Sequence, residues 1–408
     1  MRIKIQRFCS LIFAIFLLHV SISISQNLNT WTWKKKADYK KPRSSCSAFV
    51  IGSNAYVGVG TDSIGFKRSF YVYSPALSIW QQIASLGGAA GGGLARNMAS
   101  ATTIGNFGYV GLGQGSLAYM NDWWQYDPAT DTWTQKANLP GVSRRGAVSF
   151  TIGAMGYVGL GETQNGFVND FWQYNPSSNT WISKAIFGGT GRRLAAAFVI
   201  GTKAYVGTGD AVAAKNDFWE YDSSTNTWTQ KADFAGSSRT GAVAFEINGF
   251  GYLGTGYDTS SSYKRDLWQY DVLADTWTPI TNFAGTARAN AVAFKIDGKV
   301  YLGTGYDGFL KGDFWEFSPS GLGIQDYNFN NSASVYPNPV LTQATFTLTD
   351  EVQNAFLKIY DLQGKEIKQI VFSGQQVVFE RENIESGIYF YQIISKQKTI
   401  SSGKLIIQ

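Results

Sequence analysis

Residues 239–277 read RTGAVAFEINGFGYLGTGYDTSSSYKRDLWQYDVLADTW. Two apolar runs, 241–247 and 251–256, flank Asn248-Gly249, a pair in which both residues tolerate positive φ and which therefore signals a two-residue hairpin. Two further runs follow a polar loop, 266–271 and 276–280. The stretch thus reads as one four-stranded antiparallel sheet.

The same order recurs along the chain. Its Gly-x-Gly pairs are Gly58/Gly60, Gly111/Gly113, Gly159/Gly161, Gly207/Gly209, Gly254/Gly256 and Gly303/Gly305, a period of 47 to 53 residues. A unit that small cannot bury its apolar face alone, so a repeat of this length predicts a propeller or a solenoid. Gly153, Gly201 and Asp297-Gly298 occupy the same hairpin turn in other copies. With 45 Gly, 9 Pro, 15% aromatic and 16% charged residues, the 408-residue chain suits many short strands joined by turns.

The fourth strand carries Trp80, Trp133, Trp181, Trp228 and Trp277, but the sixth copy ends near Phe317 with no Trp after it. At the other end of the chain Asn29-Thr30-Trp31-Thr32 reads like Asn226-Thr227-Trp228-Thr229. Residues 29–37 are therefore expected to supply the outer strand of the last blade. That closes a ring and removes exposed strand edges.

Residues 1–25 have the layout of a signal peptide: basic Arg2, Lys4 and Arg7, an apolar run over 8–20, and small residues at 23–25. The apolar run is shorter than the roughly 20 residues of a membrane span. Removing the segment takes three positive charges from the formal +6 and leaves +3, too mild and dispersed for nucleic-acid binding. Cys9 and His19 leave with it. The mature chain then has Cys46 alone, hence no intramolecular disulfide, and no histidine, hence no Ser-His-Asp or Cys-His pair and no Cys/His zinc site. No cofactor and no metal are expected.

Arg43, Arg96, Arg144, Arg192, Arg239 and Arg288 each stand fifteen residues before the first Gly of a pair. The scaffold reading pairs them with Asp122, Asp170, Asp217, Asp266 and Asp313, which open the third strands. The ligand reading gains from Ser69, which replaces that Asp in the first copy, and from the additional Arg145 and Arg193. Unpaired guanidinium groups at a funnel mouth suit carboxylate- or sulfate-bearing ligands. Loops between second and third strands carry Phe66, Tyr119, Phe167, Tyr257, Tyr263, Tyr306 and Phe309. Rings among small polar residues either cover the blade tips or stack on sugars and anchor partners. The candidate ligand-binding set is thus the six arginines with Arg145, Arg193, Tyr119, Phe167, Tyr257 and Tyr306.

The pairs Tyr73/Trp80, Tyr126/Trp133, Tyr174/Trp181, Tyr221/Trp228 and Tyr270/Trp277, each behind a Gly-bearing strand, resemble the kelch repeat family, including the central domain of galactose oxidase. The resemblance covers about residues 29–317 and implies a propeller. Kelch repeats usually carry a Gly doublet where this chain has Gly-x-Gly. The copper-radical chemistry of galactose oxidase does not carry over, because its site uses histidine ligands.

After Phe317 the composition turns to Ser, Asn and Gly, which reads as a linker. Tyr336-Pro337-Asn338-Pro339, the run 359–365, Ser386-Gly387-Ile388-Tyr389 and the ending 404–408 resemble the type A C-terminal sorting domain of type IX secretion cargo. That resemblance implies passage across the outer membrane through the type IX machinery; an accessory carbohydrate-binding sandwich is the alternative. The expectation is an all-β chain: signal peptide 1–25, a six-bladed kelch-type propeller 26–317 closed by an N-terminal outer strand, a linker 318–334, and an immunoglobulin-like β-sandwich of six or seven short strands, 335–408. Two functions follow from it. One is a secreted or surface-held, non-catalytic binder of glycan or protein. The other is a histidine-independent sugar epimerase or mutarotase, with Glu162 and Asp210 as carboxylates, since some kelch propellers resembling this one act on sialic acid.

Overall fold

The structure is a computed structural model and describes residues 31–88, 94–319, 333–361, 365–395 and 398–408. The expected signal peptide and most of the expected linker lie outside the described residues. Among those described there is no helix, and hence none long and apolar enough to cross a membrane. The chain divides into two compact units, 1–320 and 321–408.

In the first unit the quoted stretch folds as Val243–Ile247, Phe250–Gly254, Leu267–Asp271 and Thr276–Pro279, hydrogen-bonded in that order. Asn248 and Gly249 take φ of 52° and 81°, as a two-residue hairpin requires. Six such four-stranded antiparallel sheets form among the described residues, an arrangement consistent with a propeller. The two glycines of each Gly-x-Gly serve different needs. A Cβ on Gly254 would sit 2.3 Å from the Asp266 carbonyl oxygen, whereas Gly256 has φ of +98°. The residue between them, Thr255, also has positive φ, at 57°.

The last sheet is completed from the chain's beginning: Trp31–Lys36 pairs antiparallel with Phe314–Pro319. This bears out the expected closing strand but corrects its register by two residues. Tyr221 lies opposite Trp228, and the residue opposite Phe317 is Trp33 rather than Trp31. The Asn-Thr-Trp likeness misled because Trp-Thr-Trp offers two tryptophans at the same strand parity. Both are used: Trp31 stacks on Phe317 at 4.6 Å, and Trp33 packs on Phe317 and on Phe283.

Neighbouring sheets are joined by a repeated three-part stitch. The Trp228 ring packs 5.0 Å from Phe171 of the preceding sheet, and its Nε1 donates to the Ala185 carbonyl. Asn226 Oδ1 accepts from the Ala185 N–H and from the Tyr221 hydroxyl. Tyr126, Asp131, Trp133 and Ala84 repeat it, as do Tyr270, Asp275, Trp277 and Ala232. The Tyr-x6-Trp spacing is therefore structural, as the wedge reading of these rings expects.

Six residues around the axis form a closed ring of backbone hydrogen bonds. Ser45 N–H donates to Asn290 O, Asn290 to Gly241, Gly241 to Leu194, Leu194 to Gly146, Gly146 to Met98, and Met98 back to Ser45. All six have positive φ, between 49° and 62°. Beneath the ring the axis is lined by alanine methyls, among them Ala99, Ala147, Ala195, Ala242 and Ala291.

The second unit differs from the expected run of short strands. Ala333–Tyr336, Gln343–Tyr360, Glu366–Glu380, Gly387–Ser395 and Lys398–Ile407 form one five-stranded sheet. Gln343–Tyr360 breaks register between Thr347 and Ala355, so one long bent strand stands where short ones were expected. All five strands contribute to a single core, which contains Ala333, Phe346, Leu357, Phe379, Ile393 and Leu405. The first strand starts at Ala333, inside the span expected to be linker.

Candidate functional site

The six repeated arginines belong to the scaffold. Each is at most 1% exposed. Arg144 makes a bidentate pair with Asp170, at 2.5 and 2.8 Å, and Asp170 also accepts from the indole of Trp172. Arg96, Arg192, Arg239 and Arg288 repeat this with Asp122, Asp217, Asp266 and Asp313. The NH1 group of Arg144 bonds the Leu160 carbonyl, at the positive-φ residue between the two glycines. The spacing of Arg to Gly-x-Gly is thus the reach of a guanidinium to a carbonyl the turn leaves unpaired. Burial removes Arg43, Arg96, Arg144, Arg192, Arg239 and Arg288 from the candidate ligand set.

Arg43 departs from this pattern in its partners rather than its place. Its donors reach Ser69 Oγ at 2.7 Å, the Ser69 and Val59 carbonyls and the Tyr39 hydroxyl, all neutral. The missing carboxylate read in the sequence is therefore replaced by hydroxyls.

One residue after each buried arginine the chain reaches the mouth of the ring. Ser44, Asn97, Arg145 and Arg193 bridge to Thr61, Gln114, Glu162 and Asp210, the residues that follow the Gly-x-Gly pairs; Thr240 and Ala289 bridge to Tyr257 and Tyr306. The pairing is backbone to backbone, so the scaffold fixes twelve side chains at one end of the axis. Ser45, Met98, Gly146, Leu194, Gly241 and Asn290 line a hollow of about 120 Å³ there.

The side chains divide this mouth into two arcs. Over three sheets runs a hydrogen-bonded ladder: Arg145 donates to Gln114 Oε1 and, at 2.8 Å, to Glu162; Arg193 donates to Glu162 and, at 3.0 Å, to Asp210. The guanidinium of Arg145 also lies 5.0 Å from the centre of the Tyr119 ring. The fifth and sixth sheets supply tyrosines instead. Tyr263 packs 5.0 Å from Tyr257 and edge-on to Tyr306 at 6.0 Å. Tyr306 is 39% and the neighbouring Phe309 77% exposed. Phe167 lies beside the ladder, its strand paired with that of Glu162.

This corrects the expectation of a cationic mouth with free guanidinium groups. Both additional arginines face carboxylates, and three of the four lysines on the outer loops are paired as well: Lys67 with Asp62, Lys264 with Asp258 and Lys311 with Asp307. Burial pushes the Glu162 carboxyl up, but hydrogen bonds and charge from Arg145 and Arg193 outweigh it and hold the group below the usual glutamate range. Sequence spacing named Arg145, Arg193, Glu162 and Asp210 individually. It could not pair them, because Glu162 bridges arginines from two different repeats. Tyr263 was named among the loop rings but left out of the candidate set, and the structure makes it the centre of the tyrosine cluster.

Comparisons with known proteins agree with both units. Residues 334–408 match the family model described as secretion system C-terminal sorting domain. The chain is similar to a solved structure, that of YjhT, at TM-score 0.59 and 19% identity, over 69% of this chain and 97% of that one. The likeness supports a propeller-like fold. No curated protein sequence matches the chain. The sorting domain implies export, with a secreted or cell-surface destination.

Proposed function

We propose that this is an exported binding protein whose first unit, a six-bladed kelch-type propeller, holds carbohydrate at the two-arc mouth, and whose immunoglobulin-like tail delivers it through the type IX machinery. The observation that carries the reading is the charge-neutral ladder from Gln114 to Asp210 beside a tyrosine cluster. Its two guanidinium and two carboxylate groups cancel, so the ladder itself has no net pull on a simple anion. It offers alternating donors and acceptors, the complement of sugar hydroxyls. Tyrosine rings supply the apolar face on which a pyranose stacks.

The epimerase reading loses support from the same geometry. A proton-transfer carboxylate works best with a pKa near the operating pH. Glu162 is held low by its arginines and stays ionised, suited to accepting hydroxyl hydrogens rather than shuttling protons.

A glycan array probed with the mature chain tests the proposal. Binding to one or more glycans is expected, with Arg145→Ala and Glu162→Gln each weakening the hits by tenfold or more. Hits that both variants leave intact would remove the mouth from the argument. An array with no hits would overturn carbohydrate in favour of a protein partner.

A further inference from the structure

We infer, taking the carbohydrate reading as given, that the mouth is built for an oligosaccharide of at least two units: the ladder grips one sugar, and the cluster of Tyr257, Tyr263 and Tyr306 stacks a neighbouring one. Size supports this first. From Gln114 to Asp210 the ladder passes through four successive polar contacts. Each is roughly 3 Å long and is separated from the next by the width of a guanidinium or carboxylate. Such a row outruns one pyranose ring before the tyrosine arc is counted.

Chemistry divides the same way. A pyranose presents hydroxyls at its edge and C–H groups on its face, and a ring lying flat on an aromatic platform points its edge outward. The ladder belongs to the second, third and fourth sheets and needs edges; the tyrosines belong to the fifth and sixth and need a face. Two linked sugars at different inclinations satisfy both arcs. The platform is also ordered in advance. Tyr263 stands between Tyr257 and Tyr306, edge-on to the latter, so little rotamer freedom remains to be lost on binding.

Titration calorimetry on the full mature chain, with glucose, galactose, mannose and N-acetylglucosamine and the di- and tetrasaccharides of each, tests this. In the series that binds, affinity is expected to rise at least tenfold from mono- to disaccharide. Tyr263→Ala and Tyr306→Ala should weaken the disaccharide far more than the monosaccharide and so erase that rise; Arg145→Ala should weaken both. Tyr263→Phe, which keeps the ring, should retain the gain. A monosaccharide that binds as tightly as its disaccharide, or tyrosine variants that weaken both equally, would overturn the two-unit site while leaving carbohydrate binding intact. Failure of every sugar would instead count against the carbohydrate reading itself.

Discussion

At the scale of single residues, the most informative contrast lies between the first sheet and its five relatives. Asp122 takes two hydrogen bonds from Arg96 and one from the Trp124 indole. In the first sheet both polar partners change together: Ser69 stands for the aspartate and Tyr71 for the tryptophan, leaving buried Arg43 with neutral acceptors and its Nε without one. Removing one member of a buried pair strands the other, at about 3–5 kcal/mol. Asp122→Ala is therefore expected to lower stability by that amount in chemical denaturation. Ser69→Ala removes one hydrogen bond to a charged group and should cost only about 1.5–3 kcal/mol. The pairs also set the response to acid. In Asp170, Asp217, Asp266 and Asp313 burial raises the pKa, but bonds and charge from the paired arginine and a bond from the tryptophan prevail and hold the carboxyl below the usual aspartate range. A depressed carboxylate pKa contributes stability that is fully present above the unfolded value and is lost as pH falls through the folded one. A melting temperature flat from pH 7 to about 5 and falling steeply below about pH 4 is expected, and an acid-insensitive one would contradict these pairs. The scaffold role of the repeated arginines was legible as a fixed fifteen-residue spacing to Gly-x-Gly and, for five of the six, an Asp 25 to 27 residues on. The full ladder of Arg145 and Arg193 was not, because each also bonds a side chain of the preceding repeat, Gln114 and Glu162 respectively, which becomes a neighbour only when repeats pack side by side.

At the scale of elements, closure of the ring replaces a covalent connection with strand pairing, and the stitch shows what that loses. In the second to fifth sheets a Tyr hydroxyl, an Asp or Asn turn and a Trp indole act together. The last sheet has Phe317 for the tyrosine, its third and fourth strands come from opposite ends of the first unit, and the buried Trp33 Nε1 has no partner. Trp33→Phe should therefore be tolerated better than Trp228→Phe. Both lose ring volume, but only the latter loses a made hydrogen bond, that to Ala185, a difference of about 1 kcal/mol in matched denaturation curves. Equal losses would mean that Trp33 is stitched like the rest. In compensation the closing strand carries an ion pair in place of the stitch, with Lys36 2.8 Å from the nearly buried Glu316. The strands, their order and the N-terminal closure could be read from period, hairpin turns and a missing tryptophan. The register could not, since two tryptophans two residues apart present the same face and only packing on Phe317 and Phe283 chooses between them.

At the scale of the whole molecule, two units with separate cores divide two tasks. All nine buried clusters fall wholly within one unit or the other, and the cluster around Phe346 and Leu405 contains only residues from 333 onward. A unit with its own core folds without its neighbour, and the ring of the first unit closes through Trp31–Lys36 and Phe314–Pro319 without any residue of the tail. Deleting residues 333–408 should accordingly leave a cooperatively folding protein whose thermal transition matches the corresponding one of the full chain within about 2 °C, while fractionation finds it retained inside the outer membrane. Deleting residues 26–37 should do the reverse damage. The last sheet then loses its outer strand, Phe314–Pro319 becomes an open edge, and aggregation follows. The two deletions together discriminate between the units, because the first removes delivery and spares the fold while the second removes the fold and spares the sorting signal. A tail-less protein that still reaches the surface would show that export does not depend on residues 334–408, and a 26–37 deletion that melts at the full-length temperature would show that the ring does not need its first strand.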